Sequence, residues 1–319
     1  MIKKKDKIFL AGHNGLVGSA ILKQLKKENY QNIITQERNK LDLFNQKKVN
    51  NFLKKIKPKI VIIAAAKVGG IKANNKYRAD FIVENLQIQN NLIYGSHRNG
   101  INNLIFLGSS CVYPKSCKLP IKEKYLLNGP LEYTNEPYAI AKIAGIKMCE
   151  NYNIQYDRNY ISLMPTNTFG PRDNYNLNNS HFIPAILKKI YLAKKKNKNF
   201  IKLWGTGKPK RDVIYVDDLA SAVIHFMKIK TDYNLINIGS SEEYSIKDYA
   251  KKIIKILNLN MRVKFDDNKK LDGVYSKILD TKIAKKCGWK PKIHFKNAIL
   301  ETYKDLVENY ENTRNNQTN

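Results

Sequence analysis

The sequence predicts an α/β protein with a Rossmann-type doubly wound parallel sheet and a smaller α/β domain. In the first half of the chain, short apolar segments alternate with segments whose apolar residues recur at helical spacing. This alternation is typical of a parallel sheet covered by helices on both faces. After Pro165 the alternation stops, and Asn and Gly become frequent through Asn167–Asn179. We therefore expect a second structural unit to begin there.

Apolar segments predict the strands of the first half, and periodic segments predict the helices between them. The segment Ile60–Ala66 is apolar at every position, as expected for a strand that is buried on both faces. The predicted strands are Lys7–Ala11, Ile33–Thr35, Ile60–Ala66, Leu104–Leu107 and Tyr160–Met164. The predicted helices are Leu16–Lys27, Val49–Ile56, Asn74–Arg98 and Tyr138–Ile154.

The second half contains four further helical segments. Ser245 is a suitable N-cap for one of them, because Asp248 follows at the third helical position. The helix from Asp217 is expected to rejoin the first unit. The predicted helices are Ile183–Lys195, Asp217–Met227, Ser245–Leu257 and Leu300–Tyr310. The polar residues 312–319 are expected to be a disordered tail.

The composition is that of an ordinary globular chain. Hydrophobic residues make up 43% and charged residues 26% of the 319 residues, which excludes an intrinsically disordered protein. No apolar run reaches the roughly 18 residues of a membrane span, and no signal peptide is recognised after the basic start. The four cysteines form no Cys-x-x-Cys pair and no zinc-spaced cluster with histidine. We expect a cytoplasmic chain with reduced thiols and no metal site.

The formal net charge of +30 is high, but its distribution argues against a nucleic-acid partner. Only eight of the 57 basic residues are Arg, and the lysines are scattered along the chain. A nucleic-acid footprint usually concentrates Arg and Lys on one element. The densest run, Lys194–Lys198, ends a predicted helix and is interpreted as its solvated tip. Basic charge still attracts anionic nucleotides, and a basic nucleic-acid binder remains an alternative.

A glycine run directly follows the first predicted strand. Gly12, Gly15 and Gly18 form a Gly-x-x-Gly-x-x-Gly pattern that leads into the first predicted helix. Glycines at such a turn let the backbone approach a pyrophosphate at the helix N-terminus. The strand before it and the helix after it favour a dinucleotide site over a glycine turn without a ligand.

The residues after the second strand bear on the choice of dinucleotide. An acidic residue there favours a ribose 2′-hydroxyl, whereas an arginine favours a 2′-phosphate. Glu37 and Arg38 supply one of each. Arg38 favours NADP, unless it is only a surface charge.

Tyr138 and Lys142 form a Tyr-x-x-x-Lys pair on a predicted helix. Positions i and i+4 share a helix face, and a nearby ammonium lowers the pKa of a phenol. Tyr138 is therefore expected to exchange a proton near neutral pH. A hydride cofactor beside such a proton donor can reduce a carbonyl or oxidise an alcohol.

Further candidate residues follow the strand that ends at Leu107. Ser109 lies at the carboxyl edge of the sheet, where open α/β folds bind ligands, although paired serines are also common in plain turns. On general grounds Cys111 is a small buried apolar residue. His181 is a candidate acid or base or a surface histidine, and spacing alone does not join it to Cys111.

Trp204 and Arg211 lie in a loop-rich stretch of the second unit. An aromatic plate with a guanidinium suits a nucleotide diphosphate, through stacking and bidentate anion binding. Considered alone, a packed Trp and a solvated charge are the simpler interpretation.

Together these residues resemble the GDP-L-fucose synthases, a family of extended short-chain dehydrogenases/reductases. The resemblance runs from Ile8 to about Tyr310. Four segments carry it most specifically: AAAKVGGI at 64–71, GSSCVYPK at 108–115, TNEPYAIAKIAG at 134–145 and MPTN at 164–167. Matches of this length are much more specific than the shared Tyr-x-x-x-Lys pair.

The resemblance implies an activity and an assembly. The implied reaction is NADPH-dependent conversion of GDP-4-keto-6-deoxy-D-mannose to GDP-L-fucose, by 3,5-epimerisation and then 4-keto reduction. Residues 1–164 with 213–240 are assigned to a dinucleotide-binding domain, and residues 165–212 with 241–311 to a nucleotide-sugar substrate domain. A homodimer is implied, with the helices around Asn74–Arg98 and Tyr138–Ile154 paired across the two-fold axis.

The resemblance also implies roles for individual residues. The catalytic residues are Ser109, Tyr138 and Lys142, with Cys111 and His181 as the epimerisation pair, which reverses the apolar interpretation of Cys111. The implied GDP-sugar contacts are Lys189, Trp204, Arg211, Asp272 and Lys277. The implied cofactor contacts are Gly12, His13, Asn14, Gly15, Leu16, Val17, Gly18, Arg38, Asp42, Leu107, Gly108, Ser109, Ser110, Tyr138, Lys142, Pro165, Thr166, Asn167, Thr168 and His181.

The implied mechanism uses the C4 keto group, which acidifies the protons on C3 and C5. Cys111 and His181 act as base and acid and exchange the proton face at each carbon. Reduction at C4 then follows, with Tyr138 protonating the new alkoxide and Ser109 holding the same oxygen. Lys142 tunes Tyr138 and grips the nicotinamide ribose.

The chain departs from the family pattern in three places. Asn14 stands where the family often has Arg, the segment 270–277 lacks the usual Pro and Arg, and the loop at 229–234 is short. A nucleotide-sugar 4-epimerase, a 4,6-dehydratase or a 4-reductase without C3/C5 inversion remains the nearest alternative. A dehydratase would need an acidic residue where Ser110 stands. A non-catalytic dinucleotide sensor is a further alternative.

Overall fold

The computed structural model describes residues 1–267 and 272–315. Lys270 and Leu271 of the divergent segment, and residues 316–319 of the expected tail, lie outside the described residues. The strands are β1 (Lys7–Ala11), β2 (Asn32–Ile34), β3 (Ile60–Ile63), β4 (Asn103–Leu107), β5 (Asn159–Pro165), β6 (Asn167–Phe169), β7 (Phe200–Leu203), β8 (Lys210–Tyr215), β9 (Leu235–Ile238), β10 (Glu243–Ser245) and β11 (Arg262–Phe265). The helices are α1 (Leu16–Lys27), α2 (Gln46–Ile56), α3 (Ile71–Lys76), α4 (Arg78–Arg98), α5 (Glu136–Tyr156), α6 (Phe182–Lys195), α7 (Val216–Lys228), α8 (Ile246–Ile256), α9 (Lys282–Lys286) and α10 (Phe295–Asn315).

The larger sheet has six strands in the order β2-β1-β3-β4-β5-β9, and every neighbouring pair is parallel. This arrangement confirms the predicted Rossmann-type doubly wound sheet. Strand β2 lies on one side of β1 and β3 lies on the other, so the winding reverses at β1. Open α/β sheets bind ligands at this switch point, beyond the carboxyl ends of the strands.

The two faces of the larger sheet bury separate apolar clusters. In β1, Ile8 and Leu10 pack into one cluster with residues of α1 and α7, while Phe9 packs into the other with residues of α2 and α4. Successive strand residues point to opposite faces, and β3 is buried at all four positions. Helices therefore cover both faces, and the carboxyl ends of the strands remain open to a ligand.

The second unit is built on two smaller sheets. One has the order β10-β8-β6, and the other pairs β11 with β7. Helices α6, α8 and α10 contribute to the same buried cluster as these strands. The predicted cap of α8 is confirmed, because the Ser245 hydroxyl accepts a hydrogen bond of 3.0 Å from the Asp248 amide.

The prediction of a single helix over Asn74–Arg98 is wrong in one respect. Two helices, α3 and α4, meet at Tyr77, whose backbone angles of φ −112° and ψ 43° are not helical. Apolar periodicity does not report a one-residue break of this kind, because the side chains on either side keep a helical pattern. The strand predicted to run to Ala66 ends at Ile63, and residues 64–66 leave the sheet.

Helix α10 extends to Asn315, five residues beyond its predicted end at Tyr310. Part of the segment expected to be a disordered tail is therefore helical in the structure. None of the helices in the described part of the chain is long and apolar enough to cross a bilayer.

Candidate active site

The glycine run forms a tight loop between β1 and α1. Gly12 has φ +87°, and a Cβ there would lie 2.5 Å from the Ala65 amide nitrogen, so only glycine fits beside the end of β3. A Cβ on Gly18 would lie 2.0 Å from the Gly12 carbonyl oxygen, which explains how closely α1 approaches the loop. Around Gly15 the space is open, with its nearest neighbour at 3.6 Å. The loop is packed against protein on one side and open on the other.

The N-terminus of α1 fits a dinucleotide pyrophosphate. Its N-cap, Gly15, supplies no side chain to bond the first-turn amides, and no acidic residue lies in that turn. Unsatisfied amides and the helix dipole make such an end an anion site. His13, Asn14, Arg38 and Asp42 line the adjacent cleft together with the loops after β2 and β3. Of the other residues expected here, Leu16 and Val17 pack against the apolar core.

Ser109, Tyr138 and Lys142 come together where β4 ends and α5 begins. The Ser109 hydroxyl lies beside the Tyr138 phenol, close enough to lower its pKa. The Lys142 ammonium lies 5.8 Å from the centre of the Tyr138 ring and donates a hydrogen bond of 2.9 Å to the Leu107 carbonyl. The structure therefore joins three residues that the sequence only suggested as partners.

The expected effect of Lys142 on Tyr138 is not found in this structure. Burial raises the pKa of Tyr138, the nearby Cys111 adds to the rise, and the neighbouring Ser109 hydroxyl opposes it. Burial also lowers the pKa of Lys142 to about 7. A desolvated lysine loses its charge near neutral pH. It therefore cannot stabilise a phenolate as strongly as a solvated ammonium would.

Cys111 and His181 line one cleft together, although 70 positions separate them in the sequence. Cys111 lies close enough to Tyr138 and Arg211 for a thiolate charge to raise the pKa of both groups. His181 is the N-cap of α6, and it is exposed on the wall of the cleft. Desolvation by the walls of the cleft lowers the pKa of His181.

The segment that carries His181 is docked on the loop after β3. The Gly70 amide donates a hydrogen bond of 2.9 Å to the Asn179 carbonyl. A Cβ on Gly70 would lie 2.8 Å from the Ser180 carbonyl oxygen. Asn74 holds this loop from the other side, since its amide donates to the carbonyls of Gly69 and Gly70. The position of His181 is thus set by contacts with the unit that carries the glycine run.

The far end of the same cleft contains every residue expected to contact a GDP-sugar. Lys189, Trp204, Arg211, Asp272 and Lys277 all line it. The Arg211 guanidinium donates to the carbonyls of Val274 and Asp272 at 2.7 and 3.2 Å. The Asp272 carboxylate accepts from the amide and hydroxyl of Thr206. The Lys189 ammonium lies 4.9 Å from the Trp204 ring centre.

Six further expected cofactor contacts lie at or beyond the carboxyl ends of β4 and β5. Asn167 lines it, whereas the Thr166 hydroxyl is buried and donates to the Asp212 carbonyl. Pro165 ends β5, and the Thr168 hydroxyl donates to the Thr166 carbonyl. The Gly108 backbone lies close to the Met164 side chain, since a Cβ on Gly108 would lie 2.1 Å from the methionine methyl carbon. Ser110 is buried and also lines the cleft.

Sequence reasoning missed Glu132 and Asn135, which line the cleft just before α5. The Glu132 carboxylate accepts hydrogen bonds from the backbone and side chains of Thr134 and Asn135. It thereby fixes the turn that places Tyr138. The run Thr134–Asn135–Glu136–Pro137 at a helix start was the signal that could have identified this turn.

Comparison with known proteins identifies the family. The profile described as "NAD dependent epimerase/dehydratase family" matches residues 8–239. The chain belongs to this family. That span holds the glycine run, the Ser109, Tyr138 and Lys142 cluster, and His181, so the family match and the observed geometry concern the same residues.

Members of the family with high similarity include two named as fucose synthases. The chain is 45% identical to "Putative GDP-L-fucose synthase 2" of Arabidopsis thaliana, over 97% of this chain and 94% of that one. It is 44% identical to "GDP-L-fucose synthase" of Escherichia coli (strain K12), over 97% and 99%. A similar solved structure is MlghC, a GDP-mannoheptose C4 reductase from Campylobacter jejuni with NADP bound. Its TM-score is 0.87 at 36% identity, covering 96% of this chain and 100% of that one.

Proposed function

We propose that this protein is a GDP-L-fucose synthase, an NADPH-dependent epimerase/reductase acting on GDP-4-keto-6-deoxy-D-mannose. The observation that carries the proposal is the shared cleft of Cys111 and His181 beside Tyr138 and Arg211. This arrangement occurs in a chain that matches an Escherichia coli GDP-L-fucose synthase over 97% of its length. A family relative of known structure holds NADP, and the open α1 N-terminus suits the pyrophosphate of that cofactor.

The reduction half of the reaction is assigned to Ser109, Tyr138 and Lys142. Bound NADPH supplies the hydride for the C4 carbonyl. Tyr138 stays protonated at neutral pH because burial raises its pKa, so its phenol can give a proton to the oxygen on C4. Ser109, beside the phenol, holds the same oxygen. Lys142, held by the Leu107 carbonyl, lies where it can bond the nicotinamide ribose.

The epimerisation half is assigned to Cys111 and His181. The C4 carbonyl acidifies the protons on C3 and C5, and two groups on one cleft can remove a proton from one face and return one to the other. Cys111 acts as the base and His181 as the acid. His181 gives its proton from the imidazolium form, which is regenerated by uptake of a proton from solvent.

The nucleotide end of the substrate is assigned to the second unit. Arg211 supplies a guanidinium for a phosphate oxygen, and Trp204 supplies a plate for the base. Lys189, Asp272 and Lys277 surround them in the same cleft. We propose that residues 1–164 with 213–240 form the cofactor domain and that residues 165–212 with 241–311 form the substrate domain, because the two ends of the cleft divide in this way.

We also propose a homodimer in the cytoplasm. Helices α4 and α5 each present an exposed stripe that contains large apolar side chains at helical spacing, with Val83 and Tyr94 on one and Ile140 and Ile154 on the other. Exposed apolar stripes on adjacent helices suit pairing with a second copy. All four cysteines are free, as expected in a reducing compartment. Sedimentation of the purified protein tests the dimer.

The test of the function is NADPH oxidation with GDP-4-keto-6-deoxy-D-mannose, followed by NMR of the sugar product. Cofactor oxidation with inverted C3 and C5 supports the proposal. Reduction without inversion would make the protein a 4-reductase and would remove the roles of Cys111 and His181. Cofactor binding without turnover would contradict the proposed substrate and direct the search to other nucleotide sugars.

A further inference from the structure

The chain that leads to His181 is anchored at a second place besides the loop after β3. Residues 170–181, the His181 segment, run from the end of β6 to the start of α6. Near the middle of this segment, one oxygen of the Asp305 carboxylate on α10 accepts two hydrogen bonds. The Arg172 amide donates one and the Tyr175 hydroxyl donates the other, each at 2.8 Å. Helix α10 is therefore attached to the segment that carries the proposed epimerisation acid.

Tyr175 is a fixed donor in this contact. Burial raises the pKa of its phenol, and the hydrogen bond to Asp305 adds to the rise, so the hydroxyl keeps its proton near neutral pH. The same hydroxyl lies 3.1 Å from the Thr302 carbonyl oxygen, and the ring packs against the larger apolar cluster. A hydrogen bond to a carboxylate is stronger than one between neutral groups. Asp305 thus holds Tyr175 at a defined position on α10.

Contacts within the segment connect this anchor to His181. Asn176 follows Tyr175 directly, and its side-chain oxygen accepts a hydrogen bond of 2.9 Å from the Asn178 amide. The Asn176 carbonyl accepts a hydrogen bond of 2.8 Å from the Ser180 amide. Because Ser180 immediately precedes His181, a displacement of Tyr175 is passed on through a short stretch whose backbone is already bonded to itself.

The two ends of the segment meet the same group of aromatic rings. Phe169 ends β6 and Phe182 begins α6. The ring centre of Phe295, the first residue of α10, lies 5.8 Å from that of Phe169 and 5.4 Å from that of Tyr249. Tyr249 in turn lies 5.5 Å from Phe182. Helix α10 therefore packs where the segment begins and, through Tyr249 of α8, where the segment ends.

We propose that Asp305 is a positioning residue for His181, which it reaches through Tyr175 and the His181 segment. Among the described residues, neither Asp305 nor Tyr175 lines the cleft, so their effect on the sugar is indirect. Helix α10 then sets the position of the epimerisation acid from outside the site. The inference rests on the proposed function, which assigns this proton transfer to His181.

The first test measures the surroundings of His181 without any substrate. The chain has five histidines, so NMR of the protein with isotope-labelled histidine rings gives few signals, and His181→Gln identifies the signal of His181. Asp305→Ala removes the acceptor and should shift this signal. Asp305→Asn keeps an oxygen that can accept both hydrogen bonds and should leave the signal close to its original position.

The second test measures the two half-reactions separately. In Asp305→Ala, deuterium exchange at C3 and C5 with NADP present should fall by about tenfold or more, since a misplacement of about 1 Å is enough to impair catalysis. Oxidation of GDP-L-fucose by NADP reverses the C4 reduction and does not use His181, so its rate should change by less than about threefold. Asp305→Asn should restore most of the exchange. Tyr175→Phe removes one of the two hydrogen bonds and should slow exchange by about threefold.

Glu308→Ala is the matched control. Glu308 lies one turn further along α10, its side chain is 60% exposed and it faces Lys304 at 4.0 Å. The substitution removes a carboxylate from the same helix and should change neither the His181 signal nor the two rates. The melting temperature of each variant shows whether it is folded, and Tyr175→Phe supplies the same readouts if Asp305→Ala does not fold.

Two results would overturn the inference. One is an unchanged His181 signal in folded Asp305→Ala, and the other is an equal loss of exchange and of GDP-L-fucose oxidation. The proposed function fails in a different way. A His181 signal that shifts in Asp305→Ala, when the unmodified protein does not exchange the C3 and C5 protons, would support the link between Asp305 and His181 and contradict the proposed reaction.

Discussion

The ammonium of Lys142 donates a hydrogen bond of 2.9 Å to the main-chain carbonyl of Leu107. Leu107 ends β4 and Lys142 lies nearly two turns into α5, so this contact joins the sheet edge to the catalytic helix. Lys142 is 3% exposed, and burial lowers its pKa to about 7. Because burial disfavours the charged ammonium, placing Lys142 in this site costs folding free energy.

Lys142 should make stability depend on pH in a definite direction. Its pKa is lowered in the folded protein, so between about pH 7 and its ordinary value of 10.5 the unfolded chain binds a proton that the folded chain does not. The free energy of unfolding therefore rises with pH in that window. Relative to Lys142→Met, the unmodified protein should gain about 1.4 kcal/mol per pH unit from about pH 7 to about pH 9.

Urea unfolding of both proteins at several pH values measures this difference. Lys54→Met is the control, because Lys54 is an exposed lysine on α2. A constant difference between the unmodified protein and Lys142→Met across this range would show that Lys142 keeps its ordinary pKa.

Tyr138→Phe should separate the two half-reactions. The variant loses the phenolic proton donor beside Ser109, so C4 reduction should fall by about 10²- to 10⁴-fold. Exchange of the C3 and C5 protons does not use this phenol and should continue. Deuterium incorporation from D₂O, followed by NMR beside NADPH oxidation, measures both steps. Equal loss of exchange and reduction would contradict the assignment of the two steps to separate residues.

Cys111→Ser should have the opposite effect. Serine replaces an ionisable thiol with a hydroxyl of much higher pKa, so deuterium exchange at C3 and C5 should fall at least about a hundredfold. NADPH binding should be unchanged. Cys287→Ser is a matched control, because Cys287 lies beside Thr231 and His225, outside the cleft. Unchanged product formation by Cys111→Ser would remove Cys111 from the mechanism.

Gly70→Ala should displace His181 without touching it. The new Cβ would lie 2.8 Å from the Ser180 carbonyl oxygen, so the segment before α6 must shift. Exchange at C3 and C5 should slow by about tenfold or more, since a misplacement of about 1 Å is enough to impair catalysis. The dissociation constant of NADPH and the melting temperature serve as readouts of cofactor binding and of folding.

The control for this substitution is Gly129→Ala, where a Cβ makes ordinary contact with Pro114 at 3.4 Å. If both alanine variants exchange at the same rate, the docking of residue 70 on residues 179 and 180 does not set the position of His181.

Local patterns predicted the first half of the fold well. Strand β1 and helix α1 have the predicted bounds, because a short apolar run, a glycine turn and helical periodicity are all encoded within a few residues. The short strands β6 and β10 were not predicted. Each has three residues and is defined by its pairing with β8, and a run that short carries no period of its own.

In the candidate site, as in the fold, local features were predictable and features that depend on tertiary packing were not. The Tyr138 and Lys142 pair is four positions apart on one helix, so the sequence alone placed both on one face. The pKa of Tyr138 was predicted in the wrong direction for this structure, because the pair was treated as solvated. Burial depends on what packs around α5, and that is not a local property of the sequence.

The sequence by itself determined the class of sheet, the position of the dinucleotide loop and the shared helix face of Tyr138 and Lys142, since each depends on local spacing. The roles of Ser109, Cys111 and His181 were implied by the family resemblance. Only the tertiary structure decided that Cys111 and His181 share a cleft, that Gly70 docks the segment of His181, and that Asp305 holds Tyr175. These contacts join residues from separate elements. Their distances are set by how the sheet and its helices pack, which no short stretch of the chain specifies.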